Sequence, residues 1–198
     1  MGGAGNDRIF NTTMEYLNQH TPDTLIIGWS NPERGMLSHE DGSRLIITPW
    51  RCFSEENGHD HKDILDLYYK RIHNKFVSFH RTLNQMLFLQ EYCKNKEIKL
   101  LYFRSVMPNK IDDESLTEVA KTAFMSRKDI DTEKMGIKFN RDQLKGLINS
   151  LDKSIWIKEF WSSMLDYISS NFDTSEYGGE TPLPAEAVKA WGQIVAKH

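Results

Sequence analysis

Apolar positions recur at helical spacing from Asp7 to Gln19, where Ile9, Phe10, Met14 and Leu17 sit between polar neighbours until Pro22-Asp23 ends the run. This spacing predicts an amphipathic helix. Directly after it, Thr24-Leu25-Ile26-Ile27-Gly28-Trp29 is a short continuous apolar stretch. A strand covered by helices on both faces reads this way, which predicts a central parallel strand. Asn31 to Gly35 reads as a turn. Arg44 to Trp50 reads as an extended segment that Pro49 confines to a sheet edge or a strand end.

Ser54 to His61 is polar and predicts a surface loop. From Ile64 to Tyr92 the apolar residues Leu65, Tyr68, Ile72, Phe76, Phe79, Leu83 and Met86 keep a spacing of three or four, which predicts one long helix, with room for a kink. Ile98 to Phe103 is a second buried-strand candidate, so the order is strand, helix, strand, and a right-handed parallel crossover is expected. Residues 108–140 are charged and weakly periodic, with a helix predicted around Ser115 to Phe124; the stretch 108–150 reads as a helical insertion. Ser154 to Ile157 reads either as a third strand or as the start of a helix face continued by Phe160, Trp161, Met164 and Ile168. Ser175 to Pro184 is a Gly/Pro loop, and Pro184 stands where the first turn of a last helix, Ala185 to Ala196, would place it. The whole predicts one α/β domain over residues 1–198.

Composition changes this picture little. Hydrophobic residues make up 39% of the 198 positions and charged residues 27%, values of an ordinary folded chain rather than a disordered one. A net charge of -3 gives no overall attraction to phosphate backbones or anionic lipid, so neither nucleic acid nor membrane is expected as a partner. The start has no basic and apolar leader pattern, and a cytoplasmic location is expected. Cys52 and Cys93 have no CxxC partner and read as buried thiols.

Candidate chemistry is sparse. The glycines of Gly2-Gly3-Ala4-Gly5 run into the first helix, where backbone N–H groups and the helix N-terminus favour an anion. No strand precedes them as the dinucleotide fingerprint requires, so a flexible start with Asn6 or Asp7 as helix cap is the preferred reading. His59-Asp60-His61 with Asp63 and Asp66 has metal-ligand types in loose loop spacing, and a solvated loop is preferred; no metal or cofactor is expected. His73 and His80 are expected on one helix face beside Lys70, Arg81 and Asn84, turned to solvent or to a neighbouring hydrogen bond. Trp29 follows a strand end, where open α/β sheets hold ligands, so it is a stacking candidate as well as a core candidate. Arg34 and Arg104 each follow a predicted strand, and two guanidiniums so placed suit a carboxylate or phosphate.

Gly3-Ala4-Gly5-Asn6-Asp7-Arg8-Ile9, the following helix, and Pro22-Asp23-Thr24-Leu25-Ile26-Ile27-Gly28-Trp29-Ser30 together resemble SGNH/GDSL-type hydrolases, particularly uncharacterised phage-type members. Leu87 to Phe103 and Thr181 to Trp191 are similar to later parts of that family more faintly. The resemblance implies a flavodoxin-like, three-layer α/β/α sandwich with a short, mostly parallel sheet. It also implies that Gly5 stands near the oxyanion-hole glycine, and that Ser30 or Asn31 stands where the family places its Asn. The family's serine lies on a strand ahead of the Gly loop, so an incomplete first strand is expected. Its closing Asp and His fall at Gly178 and Thr181.

Three readings follow. The first is a degenerate SGNH-like protein without ordinary esterase activity, binding a small-molecule or carbohydrate ligand near Gly5, Asn6, Trp29, Arg34 and Arg104, and located in the host cytoplasm if phage-encoded. A second is an active hydrolase on an ester or acetylated carbohydrate, using Ser30 with His39, His59 or His61. The third is an interaction subunit whose exposed strand pairs with itself or a partner; a homo-oligomer is expected.

Overall fold

The computed structural model describes residues 5–38, 44–48, 51–54, 59–104, 113–122, 130–157, 168, 171 and 185–197. They form a mixed α/β fold with two separate sheets. Helix α1 spans Asn6–Gln19, and strand β1 (Thr24–Trp29) follows it. β1 pairs in parallel with the later strand β5 (Lys99–Arg104) in unbroken register from Thr24↔Lys99 to Trp29↔Arg104. Both apolar runs are therefore neighbours in one layer, as their composition predicts.

Side chains alternate across that layer. Ile27 and Trp29 of β1 and Leu100 and Tyr102 of β5 enter one buried cluster with Leu17 of α1 and Leu83, Met86 and Leu89 of α3 (Lys75–Asn95). Leu101 enters a second cluster with Ile157 and Trp191, and Phe103 packs against it. Trp191 lies on the last helix, α6 (Ala185–Val195). Phe103 and Trp191 meet edge to face with ring centroids 5.7 Å apart.

Gly28 is opposite Phe103 in the register, and a Cβ there would lie 2.5 Å from the ring's Cζ. Gly28→Ala should cost about 1–3 kcal/mol by overpacking. In a chain already carrying Phe103→Ala the same change should be nearly free. Urea midpoints of the two single variants and the double variant measure the coupling, and strictly additive losses would refute the contact as the cause.

The segment after β1 departs from expectation. β2 (Gly35–Ser38), β3 (Arg44–Thr48) and β4 (Arg51–Ser54) form an antiparallel sheet in the order β2-β3-β4. β3 is thus the middle strand, not an edge, and it ends at Thr48, the residue before Pro49 in the sequence. The predicted loop from Ser54 loses its first residue to β4. Cys52 then accepts from His61 N at 2.8 Å, and Ser54 N donates to His59 O at 2.9 Å.

The single long helix predicted over Ile64–Tyr92 is broken. α2 (Lys62–Leu67) runs into a π-helical turn, Tyr68–Ile72, and α3 starts afresh at Lys75. Asn74 causes the break: its backbone is extended and its side chain accepts from Val77 N at 3.1 Å, satisfying a donor that a helix start leaves open. His73 and His80 therefore lie on different elements rather than on one face.

In the stretch read as an insertion, α4 (Asp113–Lys121) and α5 (Ile130–Ser150) are helical. Leu116, Leu144 and Ile148 belong to the main core cluster beside α3, so these helices build the core. Ser154–Ile157 resolves between its two readings. Lys153–Ile155 is a short 3-10 turn, and Trp156 forms an isolated parallel bridge to Tyr102, with Ile157 N donating to Tyr102 O at 2.8 Å. Phe160, Trp161 and Met164, like the loop Ser175 to Pro184, lie outside the described residues. Among the described residues no helix is long and apolar enough to cross a membrane.

Candidate functional site

The first residue of α1 is tied to the residue that follows β1 by one carboxamide. Asn6 is 3% exposed. Its Oδ1 accepts from Ser30 N at 2.8 Å, while its Nδ2 donates to Ser30 O at 3.0 Å and to Thr82 Oγ1 at 3.2 Å. A side-chain amide thus satisfies both backbone groups of a buried residue, as a neighbouring strand would. The helix cap expected from Asn6 or Asp7 is not formed, because Gly5 holds the N-cap position and no side chain caps the helix. Asp7 instead faces α3, accepting from Gln85 Nε2 at 2.7 Å and lying 3.2 Å from Arg81 Nε.

Gly5 is needed where it is. A Cβ there would sit 2.8 Å from the carbonyl oxygen of Arg34, a backbone atom that cannot swing aside. Gly5, Asn6, Ser30 and Arg34 are therefore brought together, but by backbone packing and the Asn6 clamp. Burial lowers the Arg34 guanidinium below its usual pKa, with Tyr69 acting against the shift. Arg104 is buried at the end of β5, paired in register with Trp29, so the two arginines are held by different elements. Trp29 is fully buried and meets Tyr102 edge to face at 5.5 Å. It is a core residue, not a stacking platform, because α3 closes over the strand end.

Ser30 is buried too, and its Oγ has no hydrogen-bond partner among the described residues. Among the described residues no imidazole is hydrogen-bonded to it. His59 and His61 belong to the segment following β4, where their rings meet at 5.1 Å, and His39 lies outside the described residues. Asn31 Oδ1 accepts from Glu33 N at 2.9 Å and fixes the turn after β1.

That turn borders a cleft of about 380 Å³ at the carboxyl end of β1. One wall is Asn31, Pro32 and Glu33; α3 supplies Lys75 and Phe79; α4 supplies Ser115 and Glu118. Glu33 and Lys75 form an ion pair of 3.2 Å across the rim. Thr122 joins α4 to the start of α3, its Oγ1 accepting from Phe76 N at 3.0 Å. The sequence pointed to Asn31 but not to Glu33, Lys75, Phe79 or Glu118. Glu33 shares the turn with Asn31, whereas the other three arrive from elements whose packing no local pattern announces.

Beside the cleft, His73 is half-buried against the rings of Tyr68 and Tyr69, at 5.5 and 4.9 Å. Its Nε2 is 3.3 Å from Ser78 Oγ. Burial pulls its pKa down, with Glu33 pulling the other way. Tyr69 donates to Glu33 O at 2.9 Å and is itself shifted up by burial. His80 lies 3.0 Å from Gln143 Nε2 and bridges α3 to α5. Cys52 and Cys93 are free and buried, as their settings suggested, and burial pushes the Cys93 thiol up to about 11. Such thiols are inert at neutral pH. Among the described residues, no group of three or more His, Cys, Asp or Glu stands where it could hold a metal ion. Asp60 is instead drawn to Arg51 Nε at 2.5 Å, and Asp66 to Lys70 Nζ at 2.7 Å.

Comparison with known protein families, curated proteins and solved structures finds no match to this chain.

Proposed function

We propose that this chain is a degenerate SGNH-hydrolase-like protein that holds a small polar or carbohydrate ligand in the cleft at the carboxyl end of β1 and lacks ordinary esterase activity. The observation that supports this most is the state of Ser30. Its backbone is clamped by Asn6, its hydroxyl is buried, and no general base among the described residues touches it. A serine in that setting stays protonated and is a poor nucleophile. The positions that resemble the family's closing Asp and His are Gly178 and Thr181, neither of which takes up a proton at neutral pH. The likeness is then one of scaffold. Helices α1 and α3 on one face of β1 and β5, and the α6 cluster on the other face of β5, support the three-layer arrangement.

The cleft suits a ligand by its lining. It combines an apolar wall at Phe79 with a few convergent polar groups, at Asn31, Glu33 and Lys75, the mixture that small-ligand sites use, and it lies at the carboxyl ends of parallel strands. The expected assay result is that the wild-type chain hydrolyses p-nitrophenyl acetate no faster than its Ser30→Ala variant. Robust turnover that disappears in Ser30→Ala would instead establish an active hydrolase on an ester or acetylated carbohydrate.

A further inference from the structure

We propose that the free edge of β1 pairs with β1 of a second copy of this chain, making a symmetric dimer with a continuous sheet β5-β1-β1-β5. One hydrogen bond fixes which way the backbone groups of β1 point. Lys99 N donates to Asp23 O at 3.0 Å, so Asp23 turns its backbone groups toward β5. In a parallel ladder the N–H and C=O of one residue point to the same side, and the side alternates with each residue. Leu25, Ile27 and Trp29 therefore bond to β5, while Thr24, Ile26, Gly28 and Ser30 point away from it. Ser30 agrees with this count, since its N–H and C=O are the pair taken by Asn6.

Among the described residues no partner takes the outward groups of Thr24, Ile26 and Gly28. Among the described residues β1 pairs with β5 alone, whereas the far edge of β5 is covered at Tyr102 by Trp156 and Ile157. Edge strands are ordinarily guarded by a charge, a proline or a bulge. β1 has none within Thr24–Trp29, and Ile26 at its centre is 45% exposed. A row of unpaired amides and carbonyls is matched only by another extended backbone.

The row is also self-complementary. Its three outward residues are symmetric about Ile26, so an antiparallel copy sets Thr24 opposite Gly28 and Ile26 opposite Ile26 on a two-fold axis, an isologous contact that closes on itself. The two exposed isoleucines then form a β-branched cross-strand pair. The Asn6 clamp on Ser30 stops the ladder at one end, and Pro22, which lacks an N–H, precedes it at the other.

Light scattering on a sizing column, run with the full chain across the micromolar range, should give the mass of two chains. Ile26→Lys should halve that mass while leaving the far-ultraviolet dichroism unchanged, because it sets two like charges on the axis. Should that variant fail to fold, amide exchange in the wild-type chain decides: the Thr24, Ile26 and Gly28 amides should slow as concentration rises. A monomer whose edge amides exchange independently of concentration overturns the proposal. So does a folded Ile26→Lys that stays dimeric.

Discussion

Asn6→Ala is expected to lower the stability of the fold by about 3–5 kcal/mol, because it leaves two buried backbone groups of Ser30 unpaired at about 1–3 kcal/mol each and removes the bond to Thr82. Alanine itself suits the first turn of a helix, so local propensity does not offset the loss. Asn6→Asp separates the two halves of the clamp. A carboxylate still accepts from Ser30 N, but it donates nothing to Ser30 O and brings a charge into a site that is 3% exposed. The neutral acid regains an O–H donor. The introduced carboxyl therefore has a folded-state pKa raised above its unfolded value, and the sign follows: stability is full below the unfolded pKa and is lost as pH rises through the folded one. Urea midpoints should show Asn6→Asp close to Asn6→Ala at neutral pH and recovering in mild acid. A loss below about 1 kcal/mol for Asn6→Ala, the worth of one ordinary hydrogen bond, would mean that water replaces the amide and that the clamp is not structural.

The clamp also shows how far the sequence could be read. A glycine-rich start with Asn6 at a helix entrance suggested an anion site or a cap, since both use polar atoms at a helix N-terminus. Which of these groups meets Ser30, 24 positions away, depends on how α1 returns along β1, and no local period encodes that. β1 and β5 were legible because a strand buried on both faces is apolar throughout, and length distinguishes Leu25 to Trp29 and Ile98 to Phe103 from helices. β2 and β4 have four residues each, too few to display alternation. The break at Asn74 was hidden because Ile72 and Phe76 keep the helical spacing straight across it, while the cap that makes the break is a polar residue in a polar context. α5 contains Gly136 and Gly146 and a mixed polar surface, so its periodicity was weak although Leu144 and Ile148 are core residues. Of the cleft, the strand-end residue Asn31 was visible, but the α3 and α4 walls were not, because only tertiary packing sets them opposite it.

Trp29→Ala should remove about 3–5 kcal/mol, the range for truncating a large buried aromatic. Its neighbours set this cost. The indole has no exposed surface, and it leads an edge-to-face series in which Tyr102 meets Trp29 at 5.5 Å and Trp156 at 5.5 Å. Tyr102 also donates to Met86 O at 2.8 Å, tying β5 to α3 through the same cluster. An alanine leaves a cavity bordered by the strand pair and α3, and neither can close it without breaking the parallel register from Thr24 to Trp29. For a domain whose whole stability is about 5–15 kcal/mol, the variant approaches unfolding at ambient temperature. Trp29→Phe retains an aromatic edge toward Tyr102 and should recover more than half of the loss. The alternative, a strand-end tryptophan kept for stacking on a ligand, predicts the opposite: a change within about 0.5 kcal/mol, as for exposed substitutions. Denaturation curves of Trp29→Ala and Trp29→Phe, followed by near-ultraviolet dichroism of the remaining aromatics, decide between the two, and a near-neutral Trp29→Ala would return this residue to the ligand site.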